Sequence, residues 1–73
     1  MIDKESEIKT LLINIVLLRR KYNLSKKKMA ELIGTSIYSI NKIEKGICPK
    51  RMKIDVLFKI QNNFNIPVYK LFK

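Results

Sequence analysis

The chain has no histidine and a single cysteine, Cys48. Those two scarcities exclude a Cys/His metal cluster and a Cys–His catalytic pair. The lone cysteine also excludes an internal disulfide and suits a reducing compartment. In a loop it reads either as an inert thiol or as a redox handle. Glycine is almost as rare, with only Gly34 and Gly46, so there is no glycine-rich phosphate-binding loop. Six acidic residues stand against sixteen lysines and arginines, and they are scattered along the chain. Long hydrophobic runs are missing too: Leu11 to Leu18 is interrupted by Asn14, and a bilayer-spanning helix needs about 20 apolar residues. The acidic start Met1-Ile2-Asp3-Lys4-Glu5 is unlike the basic leader of a secretory signal. The expectation is a cytoplasmic chain that is not an enzyme, with no metal, no cofactor and no room for a sizeable ligand pocket.

What is present is charge of one sign and enough apolar content to fold. The 73 residues are 47% hydrophobic and carry a net charge of +10, with a pI near 10.0. A disordered chain of that charge would be poor in aliphatic residues. Seventy-three residues make one domain, 1–73, with a core near the lower limit for independent folding. The basic excess implies a polyanion as partner, either nucleic acid or an anionic membrane surface, or else simply keeps the chain soluble.

Apolar periodicity divides the chain into helices. Residues 1–7 are polar and expected to fray. From Ile8 to about Asn23, residues Ile8, Leu11, Ile15, Leu18 and Tyr22 recur at spacings of three and four and share one face, with Ser6 or Asp3 as cap. Ile13, Val16 and Leu17 fall outside that stripe, so they are either covered by the C-terminal tail or form a self-association surface. Ser25 caps a second helix, Lys26 to Ile33, whose Met29, Ala30 and Ile33 point inward. Lys26, Lys27 and Lys28 at its start oppose the helix macrodipole, and Lys28 stands where a capping box would place Glu. Lysines over exposed N–H groups make a phosphate site; the plainer reading is solvated side chains. Gly34 is a left-handed terminator, Thr35 and Ser36 supply a new cap, and Ile37 to Lys45 forms a third helix closed by Gly46. Its inward residues are Ile40 and Ile43. After a loop with Pro49, Lys50 and Arg51, a fourth helix spans Met52 to Phe64 through Ile54, Leu57, Phe58, Ile60 and Phe64. Pro67 then opens a fifth, Pro67 to Phe72, with Val68, Leu71 and Phe72 apolar. The fold class is all-α, with two short helices hinged at a glycine near its centre.

Leu18-Arg19, Leu24-Ser25, Ala30, Gly34, Ile40 and Glu44-Lys45-Gly46 together resemble the Cro/repressor type of helix-turn-helix, the XRE family. The likeness covers about Ile15 to Phe72 and implies a compact five-helix, lambda-repressor-like domain with the helix-turn-helix at helices 2 and 3. By this resemblance Arg19 and Glu44 form a partly buried ion pair, with Arg19 as a planar, bidentate partner. It also implies that helix 3 enters the major groove of double-stranded DNA with its first residues at base edges, while helix 2 crosses the backbone. The base-reading positions then fall on Ser36, Ile37, Tyr38 and Lys42, with Asn41 further round the helix. Lys26 matches a phosphate-contacting position that is commonly Gln, and Lys27, Ser39, Lys45, Lys50 and Arg51 complete the backbone contacts. The chain departs from the family in having Ile37 and Tyr38 in place of amides, Asn65 in place of Gly, and Pro49 one residue early.

The expected function is sequence-specific DNA binding by a transcriptional regulator, a repressor of phage or mobile-element type. It is expected to act as a homodimer on a pseudo-palindromic operator, paired through Val68, Leu71 and Phe72 or through the extra face of the first helix. An antitoxin bound to a toxin shares the same fold and remains open. So does a protein-interaction module that has lost DNA binding, with Ile13, Val16 and Leu17 as its surface. A membrane role is disfavoured, because the lysines cluster around a turn rather than along one amphipathic helix.

Overall fold

The computed structural model of the chain describes residues 4–49 and 54–73, with side chains from Glu7 onward. Four α-helices follow one another: α1 (Lys4–Lys21), α2 (Lys26–Ile33), α3 (Ile37–Glu44) and α4 (Ile54–Phe64), and a short 3-10 helix, Val68–Phe72, ends the chain. The fifth α-helix expected from the sequence is therefore a 3-10 turn. Lys70 N–H donates to Pro67 C=O at 3.0 Å and Lys73 N–H to Lys70 C=O at 3.3 Å, both i to i−3 bonds. Five residues are too few to favour α geometry over this tighter winding. Pro67 sits at the cap (φ −57°, ψ 141°) rather than at the first helical position. Gln61 Oε1 accepts from Val68 N–H at 3.1 Å and so satisfies the start of the turn from outside.

Each helix hands over to the next through a left-handed residue. Asn23 (φ 53°), Gly34 (φ 73°), Gly46 (φ 79°) and Asn65 (φ 55°) follow α1, α2, α3 and α4. Leu24 N–H returns to Arg19 C=O at 2.9 Å, Thr35 N–H to Ala30 at 2.9 Å, and Ile47 N–H to Lys42 at 2.9 Å. These six-to-one bonds close the last turns and consume carbonyls that would otherwise face water. Glycine reaches that conformation without strain, and Asn tolerates it through its short polar side chain. The helix boundaries follow from these stops. The first helix ends at Lys21 and not near Asn23, and it starts at Lys4, ahead of the expected Ile8. Ser6 lies inside the helix and so does not cap it; Asp3 and the start of the fourth helix at Met52 lie outside the described residues. The third helix stops at Glu44, with Lys45 as its C-cap.

The core gathers Leu11, Leu12, Ile15 and Leu18 of α1, Met29, Ala30 and Ile33 of α2, Ile40 and Ile43 of α3, Val56 and Ile60 of α4, and Leu71. Helix α1 packs on α3 and on the final turn, while α2 packs on α3 and α4. The buried arc of α1 differs from the expected stripe. Leu12 is 2% exposed, whereas Ile8 and Tyr22 are 39% and 48% exposed. Covering α1 from two sides, by α3 and by the final turn, rotates its inward face toward Leu12. Tyr22 instead leans on Phe64, ring centroids 5.3 Å apart. In α4, Val56 and Ile60 are buried, while Ile54 and Phe58 are exposed.

The C-terminal turn leaves Ile13 uncovered and reaches only the edge of Leu17, which borders a cleft with Lys70 and Leu71. Asn14 Nδ2 donates to Leu71 C=O at 2.6 Å, which pins the turn beside Leu18. Ile13 and Leu17 stay 58% and 53% exposed. Leu71 is itself buried at 2%, so it is a core residue and is not available for pairing with another molecule. Among the described residues no helix is long and apolar enough to cross a membrane.

The position of the buried arc can be checked by urea denaturation. Leu12→Ala should cost about 2–5 kcal/mol through the cavity it leaves. Ile13→Ala, one residue on, should change stability by no more than about 0.5 kcal/mol. Equal costs would contradict this packing of α1.

Candidate nucleic-acid interface

The interface candidate is built on α2, the Gly34 turn and α3. Helix α2 begins at Ser25, whose extended backbone (φ −69°, ψ 161°) lets its hydroxyl accept from Lys28 N–H at 3.0 Å. Only one of the orphan donors at that end is satisfied this way. The first turn holds Lys26, Lys27 and Lys28 and no acidic residue. Lys26 does not simply project into water: its Nζ donates to Asn41 Oδ1 at 2.8 Å. That bond bridges from the start of α2 to the outer face of α3 and joins two residues assigned to different roles, phosphate and base. Lys27 and Lys28 are exposed.

At Gly34 the chain turns back with φ 73°, and a Cβ there would lie 2.5 Å from Lys59 Nζ. The left-handed backbone is what favours glycine here, since the Lys59 side chain is flexible and can swing aside from a Cβ. Lys59 is a cation beside the turn that sequence reasoning missed. It lies on another helix, and no spacing rule connects it to Gly34.

Ser36 opens α3 as its N-cap (φ −106°, ψ 161°) and accepts from Ser39 N–H at 3.1 Å. The Ser36 hydroxyl also donates to Ser39 Oγ at 3.2 Å. Ser36 is therefore largely occupied within the helix start, while the Ser39 hydroxyl keeps its proton for an outside acceptor. Ile37 and Tyr38 follow, 45% and 68% exposed. Lys42 curls back over Tyr38, its Nζ 4.9 Å from the ring centroid. Helical side chains lean toward the N-terminus, so this contact carries the ammonium to the tip of α3. An exposed cation–π contact is worth about 0.5–1 kcal/mol, little enough for a stronger acceptor to displace. Lys45 is exposed at the C-cap; Lys50 and Arg51 lie outside the described residues.

The tip is held in place from the opposite end of α3. Arg19 Nη2 donates to Glu44 Oε1 at 2.7 Å, with side chains 20% and 17% exposed. The guanidinium fork is split and not bidentate on the carboxylate: Nη1 donates to Leu24 C=O at 3.0 Å. One side chain thereby ties the end of α1, the connection to α2 and the end of α3. Nε is buried without a partner.

Among the described residues no group of three His, Cys, Asp or Glu side chains is placed to hold a metal ion. Cys48 is a free, exposed thiol.

A comparison with protein-family models matches residues 13–73 to the model described as a helix-turn-helix domain. The chain belongs to the XRE-type helix-turn-helix family. No curated protein and no solved structure gives a match. Family membership carries DNA binding and transcription regulation as the class of function. In this helix-turn-helix the matched span takes in α2, α3, α4, the final turn and the second half of α1.

The role of the split fork can be measured by denaturation of two variants. Glu44→Ala should cost about 2 kcal/mol, since it removes a charged hydrogen bond and strands the guanidinium. Glu44→Gln keeps an acceptor and should cost less than half of that. If both are neutral, Arg19 and Glu44 do not hold α3.

Proposed function

We propose that this helix-turn-helix protein binds double-stranded DNA sequence-specifically and acts as a transcriptional repressor of phage or mobile-element type. The observation that carries the reading is the composition of the α3 tip. Ile37 and Tyr38 stand in water there, the Lys42 ammonium lies over Tyr38, and neither α2 nor α3 has an acidic residue in its first turn. Exposed apolar side chains with a lysine laid over one of them suit a duplex groove, where phosphates meet the lysines and base edges meet the apolar residues.

In this mechanism α3 lies in the major groove. Ile37 and Tyr38 pack on thymine methyl groups, Lys42 leaves the Tyr38 ring to donate to guanine O6 and N7, and Ser36 and Asn41 supplement the reading. Lys26, Lys27, Ser39, Lys45, Lys50 and Arg51 contact phosphates and supply a salt-sensitive share of the affinity. The Lys26–Asn41 bond orients Asn41 and holds Lys26 between the two strands of contacts. A single α3 spans few base pairs, so the protein works as a homodimer on half-sites roughly 34 Å apart or a multiple of that. Its pairing surface is the final turn, where Tyr69 is 59% exposed and Val68 and Phe72 are half-buried. The site of action is the cytoplasm.

Selection of bound duplexes from a random library should return a pseudo-palindrome. Lys42→Ala should change the preferred sequence at one position of each half-site. Lys27→Ala, at a side chain with no bond to a base-reading residue, should weaken all duplexes alike and reduce the slope of log K against log salt by about 1. Salt-insensitive or absent binding would sink the reading in favour of a protein-interaction module.

A further inference from the structure

The face of α1 that the core does not use is one wall of a groove of about 400 Å³, whose other wall is the end of α3 at Ile43, Glu44 and Gly46. Its floor and lip are apolar: Leu12 lies at the bottom, and Ile13, Val16 and Leu17 rise along the α1 side. Ile13 and Leu17 are more than half exposed, a costly arrangement for a small monomer unless something covers them. Lys9 and Arg20 close the groove at its two ends. Among the side chains described, from Glu7 onward, neither is paired with a carboxylate. The acidic group on the opposite wall, Glu44, is already held by Arg19 at 2.7 Å.

We infer that this groove docks an amphipathic helix of a partner protein whose aliphatic stripe is flanked by acidic residues. The spacing of Ile13, Val16 and Leu17 presents ridges that a second helix can straddle. From Lys9 to Arg20 the wall is about 16 Å long at 1.5 Å per residue, which matches a partner helix of roughly three turns. The end charges then select acidic flanks, because an unpaired like charge at the rim suppresses the wrong partner. The same charges argue against a second copy in this position. A two-fold antiparallel pairing of α1 centred on Ile13, Val16 and Leu17 would set Lys9 of each molecule beside Arg20 of the other, between chains of net charge +10. The groove wall formed by Ile43 and Gly46 abuts Lys45, so an occupied groove brings acidic side chains to the end of the recognition helix. The inference stands apart from DNA binding and holds whether or not the protein represses a gene.

The test uses the full chain labelled with 15N and two synthetic helical peptides. Both have leucines at i, i+3, i+4 and i+7; one carries glutamates on the flanks and the other lysines. The glutamate peptide should shift the amide signals of Ile13, Val16, Leu17 and Gly46, and the lysine peptide should not. Leu17→Glu, at an exposed position that leaves folding intact, should weaken the complex at least about tenfold. The combined Lys9→Glu and Arg20→Glu substitutions leave the chain strongly basic and should exchange the preference, so that the lysine peptide binds. Shifts confined to Lys26–Lys28 would show general charge attraction and overturn the inference, as would equal binding of both peptides. Shifts of the α1 signals on simple concentration of the protein would give the groove to a second copy.

Discussion

The arrangement depends on where one guanidinium divides its donors. Arg19 reaches Leu24 C=O with one terminal nitrogen and Glu44 with the other, so the end of α1, the entry to α2 and the end of α3 are fixed relative to one another. In a domain this small the core cannot set those angles alone, since burial supplies little surplus over chain entropy. A charged hydrogen bond between partly buried groups adds direction that apolar contact lacks. The tip of α3 projects from this clamp at its far end, which is why the residues proposed to read bases can be exposed without being loosely held.

Stability and binding pull apart at the starts of α2 and α3. Cations in the first turn of a helix work against its dipole, and exposed Ile37 and Tyr38 give up burial that the core would reward. The fold limits that cost with local devices: the Ser25 and Ser36 caps, the Lys26–Asn41 bond, and the Lys42–Tyr38 contact. Each is weak, and all but the Ser25 cap involve a residue proposed to touch DNA. The free protein is thus held in a form whose contacts can be exchanged for phosphate and base contacts at small expense. A surface that conflicts with its own helix propensities is where function is expected to show.

What the sequence discloses follows how local the physics is. The cap at Ser25, the stop at Gly34 and the inward faces of α2 and α3 depend on residues within four positions of one another, and all were legible. The end of α1 was less so, because Asn23 adopts the left-handed conformation that glycine signals more plainly elsewhere. The buried arc of α1 could not be read from α1 itself. Leu12 is inside and Ile8 and Tyr22 are outside because α3 and the final turn approach from two directions. At the interface, residue types and the turn were visible, but the pairings were not. That Lys26 bonds Asn41, that Lys42 rests on Tyr38 and that Lys59 sits against Gly34 are consequences of helices brought together in space or of side chains leaning along one of them.

The central claim is that the tip of α3 lies against the bases. A photo-crosslinking benzophenone amino acid placed at Tyr38, 68% exposed, tests it most directly, with the same amino acid at Tyr69, 59% exposed, as control. On irradiation with duplex DNA the account predicts a covalent protein–DNA product from position 38, mapped to a base, and none from position 69. A product from position 69 with none from position 38 would contradict it.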